Sequence, residues 1–131
     1  MITEKERDVL IEYRLKQAVE SIELAKFLVS SDKLVVAVNR IYYGMYYALT
    51  ALALKHAFET SKHTQLIGWF NKEFIFSKKV DSRFGKILKE GYQNRTKGDY
   101  EAFVLFSKDE VELMLIEMID FIDEIKFLLK E

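Results

Sequence analysis

The chain contains no cysteine and no proline, and it has only five glycines and two histidines in 131 residues. Without cysteine there is no disulfide, no thiol nucleophile and no thiolate zinc site, and this composition fits a reducing cytoplasm. Proline and glycine interrupt helices, so their scarcity favours long helices with short connections. The two histidines, His56 and His63, occur without an HExxH motif or an EF-hand loop, so we expect no metal and no cofactor.

The sequence also shows neither the pattern of a secretory signal nor that of a membrane-spanning helix. The first residues are charged and begin a helix, unlike a signal peptide. The apolar run over 34–54 contains Asn39 and Arg40, and its tyrosines lie in the middle instead of forming belts at both ends. We therefore expect a buried core helix, no membrane contact and a cytoplasmic protein.

Half of the residues are hydrophobic and 14% are aromatic, which is enough to build a core. The length fits one domain over 1–131. Apolar residues recur at helical spacing and strand-like alternation is absent, so the expected fold is an all-α, up-and-down bundle of about five helices. The helix over about 33–56 is apolar all the way round and is expected to lie at the centre.

Polar residues at the expected helix starts predict the caps. The predicted caps of the five helices, in order, are Thr3 with Glu6, the segment Ser30-Ser31-Asp32, Thr60 or Ser61, Asp81, and Ser107 with Glu110. The fourth helix is predicted to run from 82 to about 94, with a possible kink at Gly91. The polar segment 92–100 is then expected to connect the last two helices.

The charge is unevenly distributed along the chain, although the net charge is only −1. Residues 72–97 carry eight lysines and arginines against three acids, whereas 98–131 carry ten acids against three lysines. One interpretation is that two neighbouring helices attract each other. The other is a basic face for an anion such as RNA phosphate. We favour the first, because charged helix faces are commonly paired or solvated.

Two polar clusters stand out from the solvated surface. Asn39 and Arg40 adjoin two pairs of tyrosines one helical turn apart, and Arg95 is followed by Asp99 and Tyr100. Each cluster also has a purely structural interpretation. Arg95 can form an ion pair with Asp99 one helical turn later, and Asp99 with Tyr100 can close a turn. The guanidinium of Arg40 can be bound by a buried carboxylate or by carbonyl groups that fix its packing. The tyrosines are expected to be mostly core, with hydroxyls reaching partners at its rim.

These segments resemble the HEPN domains, which are small helical bundles of prokaryotes. The resemblance covers nearly the whole chain and rests on three motifs in order: Asn-Arg-Ile-Tyr-Tyr-Gly-Met-Tyr-Tyr over 39–47, Lys62-His63, and Arg-Thr-Lys-Gly-Asp-Tyr over 95–100. It implies a homodimer, and often a neighbouring gene for a minimal nucleotidyltransferase. In some pairs that partner modifies a tyrosine near the arginine motif, for which Tyr100 is the candidate.

Many HEPN proteins are ribonucleases of toxin–antitoxin pairs, in which an arginine is followed four to six residues later by a histidine. There the histidine serves as general base and the arginine stabilises the charged phosphorane. After Arg95 those positions hold Asp99, Tyr100 and Glu101. This chain therefore has the arginine of the motif but lacks its histidine. A substitute base could be Asp99, or Tyr100 if its pKa were strongly lowered. It could also be His63 if the bundle brings it close to Arg95, although His63 is otherwise a surface residue at a helix start.

Two functional hypotheses follow from this resemblance. The first is a non-catalytic HEPN module of a toxin–antitoxin or defence system, which binds a nucleotidyltransferase partner, a nucleotide or RNA. Its candidate binding residues are Asn39, Arg40, Tyr43, Lys62, Arg95 and Tyr100. The alternative is a metal-independent ribonuclease, with Arg95, Asp99 and His63 as candidate catalytic residues. The missing histidine favours the first.

Overall fold

The computed structural model describes residues 2–101 and 103–131, and over this part of the chain it contains helices and no strand. The all-α bundle of about five helices is therefore confirmed. The helices are α1 (Glu4–Ser30), α2 (Leu34–Lys55), α3 (His63–Phe70), α4 (Ser82–Tyr100) and α5 (Lys108–Leu129). One π-helical turn, Asn71–Ile75, extends α3 directly. None of the helices within the described ranges is long and apolar enough to cross a membrane.

Helix α2 lies at the centre and packs against α1, α3, α4 and α5. Its side chains Tyr42, Leu49 and Leu52 are fully buried, as expected for a helix that is apolar on every side. Gly44 allows a close approach between helices. A Cβ atom built on it would overlap Met118 Cε and would lie 3.0 Å from Ser21 Cβ. The missing side chain therefore lets α1, α2 and α5 meet at one level.

Three of the predicted caps are confirmed. The side chains of Thr3, Asp81 and Ser107 accept hydrogen bonds from backbone N–H groups in the first turns of α1, α4 and α5. Charge also joins two neighbouring helices as expected, because Arg83 Nη1 lies 3.5 Å from Asp120 Oδ2 across α4 and α5.

The caps predicted for α2 and α3 are wrong. Asp32 has a φ of 57° and belongs to the left-handed turn that ends α1, so Lys33 precedes α2 without a side-chain cap. Lys62 precedes α3 in the same way. Thr60 is close by, but its hydroxyl accepts from the backbone N–H of Lys62 outside the helix.

The predicted end of the fourth helix is also wrong, because α4 continues through the polar segment to Tyr100. Gly91 lies within the helix, and Met45 Cε fills the space where its side chain would be. The last turns remain helical because Arg95 and Asp99 both contact α2. Tertiary contacts of this kind commonly override weak local helix propensity.

Candidate functional site

The extension of α4 places Arg95 against the tyrosines of α2. The residue is only 8% exposed. Its guanidinium carbon lies 5.3 Å from the ring centroid of Tyr42, 5.2 Å from that of Tyr43 and 5.6 Å from that of Tyr92. Rings at such distances attract a cation through their electron-rich faces. The Nε atom is buried and has no hydrogen-bond partner among the described residues.

Asp99 lies one helical turn after Arg95 and provides its carboxylate. The ion pair expected from the sequence is present, with Oδ2 of Asp99 3.6 Å from Nη1 of Arg95. Asn39 on α2 donates from Nδ2 to both carboxylate oxygens, at 3.2 and 3.0 Å. Because Arg95 is largely buried, this carboxylate offsets a charge that would be unfavourable alone.

A second guanidinium joins the same group. Arg40 donates from Nε and Nη2 to Oδ1 of Asn39, at 2.9 and 2.7 Å. Its guanidinium carbon lies 5.0 Å from the ring centroid of Tyr43, the ring that Arg95 also contacts. We call these five residues the arginine cluster: Asn39, Arg40, Tyr43, Arg95 and Asp99.

His63, the first residue of α3, is half-buried against the tyrosines instead of being solvated. Its ring stacks on Tyr46 with centroids 4.2 Å apart and planes inclined by 10°. Its Nδ1 atom lies 2.7 Å from the hydroxyl oxygen of Tyr42. Since Tyr42 also contacts Arg95, one buried tyrosine connects the histidine to the arginine cluster.

The environment sets the protonation of this pair. Burial raises the pKa of the Tyr42 hydroxyl, although the charge of Arg95 acts in the opposite direction. Burial, assisted by Arg95, lowers the pKa of His63. His63 is therefore neutral near pH 7 and Tyr42 keeps its proton. We assign Tyr42 as the donor to Nδ1, which leaves the histidine proton on Nε2.

The remaining two predicted site residues lie outside this contact network. Lys62 is exposed next to His63, and Tyr100 is 77% exposed at the end of α4. The sequence interpretation missed Tyr42 and Tyr92 as site residues. Helical spacing carries the signal for both, because Tyr92 precedes Arg95 by three positions and Tyr42 follows Asn39 by three.

The side chains of this site can donate and accept hydrogen bonds, and the two guanidiniums can attract an anion. No group of three or more metal-ligating side chains occurs over residues 2–101 and 103–131. The two candidate bases are already engaged: both oxygens of Asp99 accept from Asn39, and Nδ1 of His63 is bonded to Tyr42. The guanidiniums of Arg40 and Arg95, in contrast, carry more N–H groups than these contacts use.

A small helical bundle with a buried arginine among tyrosines is the class of protein that this fold and site define. The model of the HEPN domain matches residues 11–128. A UPF0332 protein of Thermotoga maritima is 34% identical over 126 residues, which are 96% of each chain. The chain belongs to the HEPN family.

Two further relatives come from Methanocaldococcus jannaschii, and each is named a putative toxin. One is 33% identical over 105 residues, which are 80% of this chain and 71% of the relative. The other is 30% identical over 121 residues, which are 92% of this chain and 90% of the relative.

Proposed function

We propose that this chain is the HEPN module of a toxin–antitoxin or defence pair, and that it acts by binding instead of by cutting RNA. The family membership and the toxin names of two relatives support the first part. A minimal nucleotidyltransferase is the partner that the family suggests. The arginine cluster is the proposed contact site for a phosphate or for that partner.

The proposal rests mainly on one observation, which is that both candidate bases already contact other side chains. A general base must point an available lone pair at the ribose 2′-hydroxyl. The carboxylate of Asp99 instead directs both oxygens to Nδ2 of Asn39 and lies beside Arg95, so these two side chains fix its position. With Tyr42 assigned as the donor, His63 uses Nδ1 for this bond and carries its proton on Nε2. Binding needs no such lone pair, because both guanidiniums act as donors.

A cleavage assay tests this proposal. We expect the purified chain to leave end-labelled RNA intact without added metal. The samples would be the wild type, Arg95→Ala and Lys16→Ala, the last because Lys16 is an exposed residue of α1. Cleavage that persists in Lys16→Ala and disappears in Arg95→Ala would overturn the proposal and establish a ribonuclease.

The partner is tested separately by co-expression with a nucleotidyltransferase encoded beside this chain. We expect the two proteins to purify together and Lys62→Glu to weaken the complex, because Lys62 is exposed next to the site. Tyr100 is accessible enough to accept a modification from such a partner. Its mass after incubation with the partner and a nucleoside triphosphate would reveal one. Two proteins that elute separately at micromolar concentration would contradict the pairing.

One observation favours the alternative, a metal-independent ribonuclease. Arg95 and His63 contact the same ring, that of Tyr42, so the fold supplies the neighbouring histidine that the sequence motif lacks. If RNA is cleaved, His63→Ala should abolish the reaction and Asp99→Asn should leave it measurable. The reverse result would make Asp99 the base.

A further inference from the structure

We infer that the outer face of α1 is a self-association surface, through which two copies of this chain pair with their first helices antiparallel. None of the residues on this face belongs to the arginine cluster, so the inference is independent of the proposed function. The pairing is additional to the homodimer that the family implies, and it allows two such dimers to join into a tetramer.

The first step is the position of four exposed apolar side chains on α1. Val9, Tyr13, Leu24 and Phe27 are between 44% and 64% exposed. Successive members are four, eleven and three positions apart, so all four lie within roughly 60° of one another around the helix. The buried residues of α1, which begin at Ala18, lie on the opposite face. The four side chains therefore form a stripe that points away from the core, and we call it the α1 stripe.

The second step is the charged pair in the middle of the α1 stripe. Lys16 and Glu20 lie between Tyr13 and Leu24 on the same side of the helix. Their side chains are 75% and 65% exposed, and Nζ of Lys16 lies 3.9 Å from Oε1 of Glu20. An ion pair with this exposure contributes little to the stability of its own helix. Both charges are therefore available to a partner.

The third step is the symmetry of the pattern. Three pairs of residues are each centred at residue 18 or half a residue beyond it: Val9 with Phe27, Tyr13 with Leu24, and Lys16 with Glu20. When two copies of this helix lie antiparallel across a twofold axis at that point, each residue faces the other member of its pair in the second copy. Because a helix rises 1.5 Å per residue, the facing residues are level to within about 2 Å. The α1 stripe is therefore complementary to itself.

The fourth step is the direction of the pairing. In the antiparallel register, apolar side chains face apolar side chains, and Lys16 of each copy faces Glu20 of the partner subunit. A parallel pairing in register would instead bring like charges together, because Lys16 would face Lys16 and Glu20 would face Glu20. The order of apolar and charged residues therefore selects an antiparallel second copy as the occupant of this surface.

Charge reversal tests the register. We expect Lys16→Glu and Glu20→Lys each to weaken association of the chain about tenfold, because like charges then face each other at both symmetric contacts. An equimolar mixture of the two variants should associate like the wild type, since every charged contact between them again joins opposite charges. Sedimentation equilibrium at one fixed ionic strength measures each dissociation constant. Loss of the ion pair within each helix cannot explain such a recovery, because mixing does not restore that pair.

A second substitution tests the apolar part of the surface. Phe27→Gln should weaken association at least about tenfold, because it removes the ring that faces Val9 at both symmetric contacts. Phe76→Gln is the matched control, since Phe76 is 77% exposed in the loop before α4. Circular dichroism checks that each variant folds, as expected for substitutions at exposed positions.

The inference is overturned if the equimolar mixture associates no better than either charge variant alone, or if Phe27→Gln and Phe76→Gln associate equally well. A wild type that stays monomeric at every concentration also overturns it. If the homodimer implied by the family forms through another helix, the same variants should change the equilibrium between dimer and tetramer. A dimer that none of the α1 variants affects, with no larger species, overturns the inference and leaves that homodimer in place.

Discussion

Tyr42 is the residue that connects the two halves of the site, because its hydroxyl holds His63 and its ring contacts Arg95. It is also fully buried in the core. A hydroxyl in such a place needs a partner, and the histidine provides it. The ordinary requirement for a satisfied core therefore explains why His63 lies against Tyr42.

Removal of this hydroxyl should weaken the fold without opening a cavity. We expect Tyr42→Phe to lower the free energy of unfolding by about 1 kcal/mol, the usual net value of one such bond. Urea denaturation measures the change. Tyr13→Phe is the control, because Tyr13 is an exposed tyrosine of α1. Equal stability of the two variants would show that the Tyr42 hydroxyl contributes nothing to folding.

The lowered pKa of His63 predicts that stability falls on acidification. In the unfolded chain the pKa returns to about 6.5, so below this pH the unfolded state binds a proton that the folded state resists. The free energy of unfolding should then decrease until the pH passes the pKa of the folded state, and remain level below it.

Comparison of the wild type with His63→Gln, between about pH 8 and about pH 5, isolates this contribution. The subtraction is necessary because burial also lowers the pKa of His56. We expect the variant to lose less stability than the wild type on acidification. An identical loss in both proteins would contradict the prediction.

At the scale of helices, glycines mark where elements approach and where they do not. Gly44 lies in α2 under Met118 and Ser21, whereas a Cβ atom on Gly68 of α3 would meet nothing within 4 Å. The same substitution therefore has opposite consequences in two helices.

We expect Gly44→Ala to destabilise the protein by about 1–2 kcal/mol, because overpacking outweighs the gain in helix propensity. Gly68→Ala should stabilise it by about 0.5–1 kcal/mol, since only the propensity changes. Paired urea titrations measure both, and each variant serves as the control for the other. A stabilising Gly44→Ala would mean that Met118 moves aside at little cost.

The sequence was sufficient for features that depend on local chemistry. The number and order of helices, the central position of α2 and the caps Thr3, Asp81 and Ser107 are of this kind. The last turns of α4 are different. Thr96, Gly98 and Asp99 have weak helix propensity. These turns are helical because Asn39, sixty positions earlier, binds Asp99. The contacts of Arg95 with Tyr42 and Tyr92 depend on this extension. The sequence therefore predicted Arg95 as a site residue but did not predict which aromatic rings surround it.

At the scale of the whole molecule, the bundle covers one apolar surface and leaves another exposed. The apolar residues of α2 are mostly buried within the chain itself. Helix α5 differs, because Leu113, Ile116 and Phe127 are exposed. Their spacing places them on one helical face. Scattered exposed residues are normal, but an aligned row of large apolar side chains is typical of an association surface.

We therefore expect the homodimer suggested by the family to form through this face of α5. Ile116→Glu should weaken dimerisation at least about tenfold, because a carboxylate would be buried without a partner. Sedimentation equilibrium over a range of concentrations measures the dissociation constant. Phe76→Glu is the control, since it introduces the same charge at an exposed apolar residue of the loop before α4. A wild type that is monomeric at every concentration would contradict dimerisation. Equal weakening by Phe76→Glu would instead place the contact elsewhere.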